Sequence, residues 1–270
     1  MIGVELRKLV IRPRTWISVA LLCLLPVVVA GFLAVTDIAP RPGQGPTFLS
    51  AVLGNGALYP AAALGIVLPF FLPIAVAVVA GESIAGEATG GTLRYLLLRP
   101  VSRSRLLVAK LVSILAFTLL AVLAVAVTGY VAGVTLLGTS RATTTTTLSG
   151  TTLTPRDLAV RTVLMVLYIG WSMVGVAAVS LLLSTFTDSP LAAALGGLAV
   201  LVSSSVLVAL DAAGGVRDYL PTRYWLAWVD LFRDPILWHD VTRGVLVQAA
   251  YVAVLLGATW ANFTTRDITS

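Results

Sequence analysis

Six long apolar runs separated by polar connections dominate this 270-residue sequence, falling at about residues 16–36, 59–80, 106–137, 158–185, 190–210 and 241–263. Each supplies about the 20 consecutive apolar residues that a helix needs to cross a bilayer. In lipid every backbone N–H and C=O must be satisfied within the segment or a closed barrel, so runs of this kind predict helices. Only 11% of the residues are charged, against roughly 25% in a soluble domain, and the mean hydropathy is +0.99. The sequence therefore predicts an all-α membrane protein, with residues 1–270 forming one transmembrane domain of six transmembrane helices.

Positive charge precedes the first run at Arg7, Lys8, Arg12 and Arg14. A secretory signal also begins this way, but its apolar core spans only about 7–15 residues. The run from Trp16 to Thr36 is longer and five more follow, so an uncleaved first span is expected. Residues 1–15 place Ile2, Leu6, Leu9 and Val10 near one face and Glu5, Lys8 and Arg12 away from it. That pattern predicts an interfacial helix ended by Pro13.

The second run contains Pro60, Pro69 and Pro73 and should be kinked or broken. In the third, Gly129 and Gly133 are spaced for close helix contact. Pro190 suits the first position of the fifth helix. Residues 37–58 form a Gly- and Pro-rich connector, and 138–155 a Thr-rich loop of low complexity. Residues 211–240 interleave Tyr219, Tyr224, Trp225, Trp228, Phe232 and Trp238 with Asp and Arg, as expected of an extracytoplasmic re-entrant or interfacial region of short amphipathic helices. Four basic residues before the first span against Arg41 alone after it favour cytoplasmic termini.

Several chemistries lack their residues. The net charge of +6 is spread between apolar runs, which suits membrane orientation rather than nucleic acid. Cys23 stands alone, so no internal disulfide framework exists. No GxxxxGK[ST] loop is present to cradle a nucleotide. The single histidine, His239, has no Cys or Glu at ligand spacing, so no metal site is expected. Ser203, Ser204 and Ser205 have no histidine in reach and are expected to hydrogen-bond between helices. The centres of the apolar runs carry no ionisable residue, the usual mark of a proton or ion relay. Only the broken second run leaves open an ion site built from backbone carbonyls.

One polar stretch remains, Gly81 to Lys110, GESIAGEATGGTLRYLLLRPVSRSRLLVAK. Its residues 81–105 read as a cytoplasmic loop carrying a short amphipathic helix at the membrane surface. Glu82 and Glu87 would sit favourably at that helix's N-terminus, where the helix dipole is positive. Arg99, Arg103 and Arg105 would meet a protein partner or anionic headgroups.

The order Glu82 and Glu87, Gly91-Thr92-Leu93, Leu96-Leu97, Pro100-Val101-Ser102-Arg103, then Lys110 entering an apolar helix resembles a known segment. It is the segment between spans two and three of ATP-binding-cassette (ABC) transporter permeases of the type-2 exporter class, with one extra small residue before the glycine. Glu5 and Lys8 before Trp16 resemble that family's N-terminal interfacial helix, and Phe263 to Asp267 its C-terminal ending. The resemblance implies a bacterial plasma-membrane permease with both termini cytoplasmic. Its loop would form a coupling helix seated in a cleft of a separate cytoplasmic ATPase.

The coupling residues implied are Glu82, Glu87, Gly91, Thr92, Leu93, Leu96, Leu97, Pro100 and Arg103, with Glu5 and Lys8 on the interfacial helix. ATP and magnesium would belong to the ATPase, leaving this chain without a bound cofactor and without catalysis of its own. Its partners would be ATPase subunits, a second permease copy or paralogue, and membrane lipid, with no nucleic acid. Charge-free spans suit a hydrophobic or amphiphilic cargo such as a drug or lipid. The alternatives are an intramembrane lipid-modifying enzyme, which needs converging polar groups at span ends, and a non-transporting membrane anchor for a partner.

Overall fold

Proline, glycine and hydroxyl caps set the helix boundaries. The computed structural model describes residues 1–36, 55–91, 102–138, 145–146 and 152–265. Helix α1 (Ile2–Ile11) gives way to α2 (Pro13–Val35) at Arg12, where Pro13 forbids an uninterrupted helix. A 3-10 turn at Gly56–Leu58, capped by the Asn55 side chain, leads into α3 (Tyr59–Val67). Then come α4 (Phe71–Thr89) and α5 (Arg103–Ala132), the latter closed by a π turn at Gly133–Leu137. A two-residue antiparallel pairing of Thr145–Thr146 with Thr152–Leu153 precedes α6 (Pro155–Phe186). The chain continues as α7 (Pro190–Ala209), 3-10 turns at Asp211–Tyr219 and Ala227–Phe232, and α8 (Trp238–Thr265). Ser102, Thr154 and Ser189 each accept a backbone N–H in the first turn of α5, α6 and α7, satisfying donors that a helix start leaves free.

Among the described residues six helices, α2, α4, α5 with its π turn, α6, α7 and α8, are long and apolar enough to cross a membrane. The protein is an all-α, multi-pass membrane protein. The second apolar run divides as its prolines require, into α3 and α4. One boundary differs from expectation: α4 does not stop at residue 80 but continues to Thr89. Helix α5 likewise begins at Arg103. The stretch expected to be a loop over 81–105 is thus helical at both ends, and residues 92–101, including any coupling helix, lie outside the described residues.

Helix α4 packs against α5, α6 and α7. Small residues bring the backbones together: a Cβ on Gly81 would lie 2.8 Å from the Ala194 backbone nitrogen of α7. Ser184 of α6 enters the α4 hydrogen-bond ladder itself. Its hydroxyl accepts from the Ala85 N–H at 2.9 Å and donates to the Gly81 carbonyl at 2.7 Å. On the other side of the bundle, the Gly129 and Gly133 pair makes the close contact its spacing predicts. The contact is internal, against Pro60 and Ala63 of α3 and the Gly56 backbone.

The region 211–240 packs part of its aromatic set into the bundle. Tyr224, Trp225, Trp228 and Phe232 are buried, and Trp228 meets Phe232 edge-on at 6.2 Å between centroids. Buried Arg161 of α6 holds this region by donating to the carbonyls of Leu231 (3.2 Å) and Arg233 (2.6 Å). Tyr168 adds a hydroxyl bond to the Tyr224 carbonyl at 2.7 Å. The rings are drawn inward because their backbone is tethered to α6. Tyr219 and Trp238 stay exposed, as interfacial rings should. Of the three serines, Ser204 alone is buried, and its hydroxyl lies 2.8 Å from that of Thr222.

Gly133→Ala puts a methyl onto the Gly56 carbonyl oxygen and within 2.5 Å of Tyr59 Cβ. Overpacking of this kind costs about 1–3 kcal/mol, so the purified protein in detergent should melt several degrees lower. Gly31→Ala, which meets open space, should not lower the melting temperature.

Candidate functional site

Glu82, Ser83, Gly86 and Glu87 lie on the last turns of α4, and all four line one cavity of about 500 Å³. Its other walls are α1, the start of α2, and α5 near Lys110 and Ser113. The helix C-terminus of α8 lies at this same end of the bundle, because Arg103 donates to the carbonyls of Phe263 (3.4 Å) and Thr264 (3.0 Å). A cation there also favours the negative end of the α8 dipole.

At the cavity's inner wall is a buried charge cluster. Glu87 Oε2 lies 2.7 Å from Lys110 Nζ, with the side chains 9% and 2% exposed. Lys110 Nζ also donates to the Ser83 carbonyl at 2.6 Å. Lys8 of α1 bridges Glu87 Oε1 and Glu5 Oε1, both at 3.1 Å. Ser113 donates from α5 to the Glu5 carbonyl at 3.4 Å. Nearer solvent, Arg14 pairs with Glu82 at 2.7 Å. Helices α1, α4 and α5 are thereby joined through alternating charges, and α2 is joined to α4.

Two expectations change here. Glu82 lies inside a helix and Glu87 in its last turn rather than at an N-terminus, so the dipole disfavours Glu87 and the lysines supply compensation. Glu87 is also buried rather than presented on a loop surface. An ionised side chain is tolerated in such a place only when paired and hydrogen-bonded. Burial by itself lowers the Lys8 pKa, but the Glu5 hydrogen bond and the Glu87 charge outweigh it, leaving the value above 10.5.

Glu5 and Lys8 sit one helical turn apart on α1, as their spacing indicates. Gly91 ends α4 with φ +66°, a left-handed conformation that glycine adopts freely. Thr92, Leu93, Leu96, Leu97, Arg99 and Pro100 lie outside the described residues, as do Arg266 and Asp267. Arg105 is exposed. His239 is exposed at the start of α8, and among the described residues no three His, Cys, Asp or Glu side chains gather to hold a metal ion. Lys110 as the ion-pair partner of Glu87 was missed from sequence. A lone lysine between Ala109 and Leu111 in an apolar run was the available signal, because such a charge demands a counter-ion.

Residues 45–269 match the model of a family described as a protein of unknown function (DUF2705). The chain belongs to this family. No curated protein matches the chain significantly.

Removing one member of the buried pair, as in Lys110→Ala, should cost about 3–5 kcal/mol because Glu87 is left charged and buried. The double variant Glu87→Leu with Lys110→Met should recover most of that loss in a detergent melting experiment. Glu82→Gln, which breaks the solvent-facing pair, should cost no more than about 1 kcal/mol. Because its folded pKa is raised, Lys8 contributes its stability fully below pH 10.5 and loses it as pH rises through the folded value. Melting temperatures of wild type minus Lys8→Met should therefore stay level from neutral pH and converge above 10.5.

Proposed function

We propose that this chain is the membrane subunit of an ATP-driven exporter of the ABC type-2 class, driven by a separate cytoplasmic ATPase. The observation that carries the reading is the placement of the charge cluster at both feet of the α4–α5 connection. The connection departs at Gly91, one turn beyond Glu87, and returns at Ser102 and Arg103, about two turns before Lys110. Displacement of the connection therefore acts on the Glu87–Lys110 pair, and through Lys8 on α1. An ATPase gripping residues 92–101 would move three helices together. The resemblance of residues 82–110 to that class adds to this support, as does the absence of a nucleotide loop in the chain.

In this reading residues 1–15 lie along the cytoplasmic face of a bacterial plasma membrane, and both termini are cytoplasmic. Thr92, Leu93, Leu96, Leu97 and Pro100 belong to the segment that contacts the ATPase, as the resemblance implies. Two permease chains, identical or paralogous, enclose the path, because six spans form half of it. The cargo is hydrophobic or amphiphilic, in keeping with spans whose centres are free of charge.

Affinity purification of the tagged chain from its native membrane in mild detergent should co-elute an ATP-binding-cassette ATPase. Leu97→Asp should abolish co-elution while leaving the melting temperature unchanged. A chain that elutes alone at full occupancy, or a Leu97→Asp variant that retains the ATPase, counts against the assignment.

A further inference from the structure

The cavity beneath α1 has more positive than negative charge in its walls. Lys8, Arg12, Arg14 and Lys110 face Glu5, Glu82 and Glu87 there. The three carboxylates are all engaged, with Lys8, Arg14 and Lys110. Arg12 is exposed and makes no ion pair among the described residues. One positive charge is therefore left over at the mouth of a space of about 500 Å³. Hydroxyl groups of Ser18 and Ser113 add to the polar side of the lining, and Leu9, Val78, Val79 and Ile114 supply an apolar side.

The surroundings of that mouth are apolar. At the α1–α2 elbow, Val10, Ile11, Trp16 and Ile17 are exposed by 57%, 66%, 50% and 58%. The Trp16 indole is fixed in place by donating to the Val10 carbonyl at 2.8 Å. Tryptophan of this kind lies at the level of lipid headgroups. A cavity with charged and apolar walls and a surplus cation, beside an exposed apolar surface, has the two-part chemistry of a phospholipid.

We propose that the cavity between α1, α2, α4 and α5 binds the headgroup of a phospholipid of net negative charge, with Arg12 as its principal contact and the acyl chains lying over Val10, Ile11 and Ile17. The bound lipid neutralises the uncompensated charge and ties the α1–α2 elbow to the bilayer. The site is independent of whether an ATPase docks on the connection between α4 and α5.

The test uses the full chain purified in detergent, with lipid binding followed by native mass spectrometry. Phosphatidylglycerol should bind about tenfold more tightly than phosphatidylcholine. Arg12→Gln should remove that preference, a loss of the size expected for one charge-assisted hydrogen bond. Ser18→Leu, which narrows the cavity without changing its charge, should weaken phosphatidylglycerol similarly. Arg7→Gln, on α1 but not in the cavity wall, should change nothing. Equal binding of the two lipids overturns the proposal, as does a loss in Arg7→Gln as large as that in Arg12→Gln. Full competition by glycerol phosphate at equal concentration also overturns it, since it would make a soluble phosphate the ligand. Undiminished binding in Ser18→Leu would mean diffuse surface attraction and would do the same.

Discussion

The contact between Glu87 and Lys110 is the one on which the arrangement of this end of the molecule depends. Neither ion could be buried alone, because desolvating one costs several kcal/mol that only a close counter-charge offsets. Their 2.7 Å approach fixes the rotation of α4 relative to α5. The Ser83 carbonyl, 2.6 Å from the same ammonium, fixes its height. Lys8 then recruits α1, which has little apolar burial of its own beyond Leu9. A helix that exposes Val4, Val10 and Ile11 is thus held to the bundle largely by charge.

Elsewhere the bundle holds together by close backbone approach, as expected where lipid offers no hydrophobic incentive for helices to associate. Gly81 against α7 and Gly129 with Gly133 against α3 are the clearest examples. Gly175 and Gly244 play a related part on α6 and α8. Each leaves room for one polar side chain, Gln248 and Tyr168, whose donors reach the carbonyls of Ser172 and Tyr224. Gln248 and Tyr168 thus serve backbone atoms at positions where a glycine has made space.

The spans were legible from sequence because apolar length is a local property. Prolines 69 and 73 marked the break in the second run, and Pro190 marked the start of α7. The end of α4 was not legible, since Gly81, Glu82, Gly86 and Glu87 look like loop residues when their neighbours are unknown. Gly81 is helical because α7 presses against it, and Glu87 is helical because Lys110 neutralises it. Both causes lie far away in sequence. The burial of four rings within 211–240 was not legible for the same reason. Their inward turn depends on Arg161, distant by seventy residues, reaching the carbonyls of Leu231 and Arg233.

The Ser184 hydroxyl, set between Gly81 and Ala85, makes one rung of a ladder from a neighbouring helix. Two helices joined in this way cannot slip lengthwise past each other without stripping that hydroxyl of its bonds to the neighbouring backbone. Piston-like travel of α4 is thereby coupled to α6, whereas tilting of the two together leaves the tether intact.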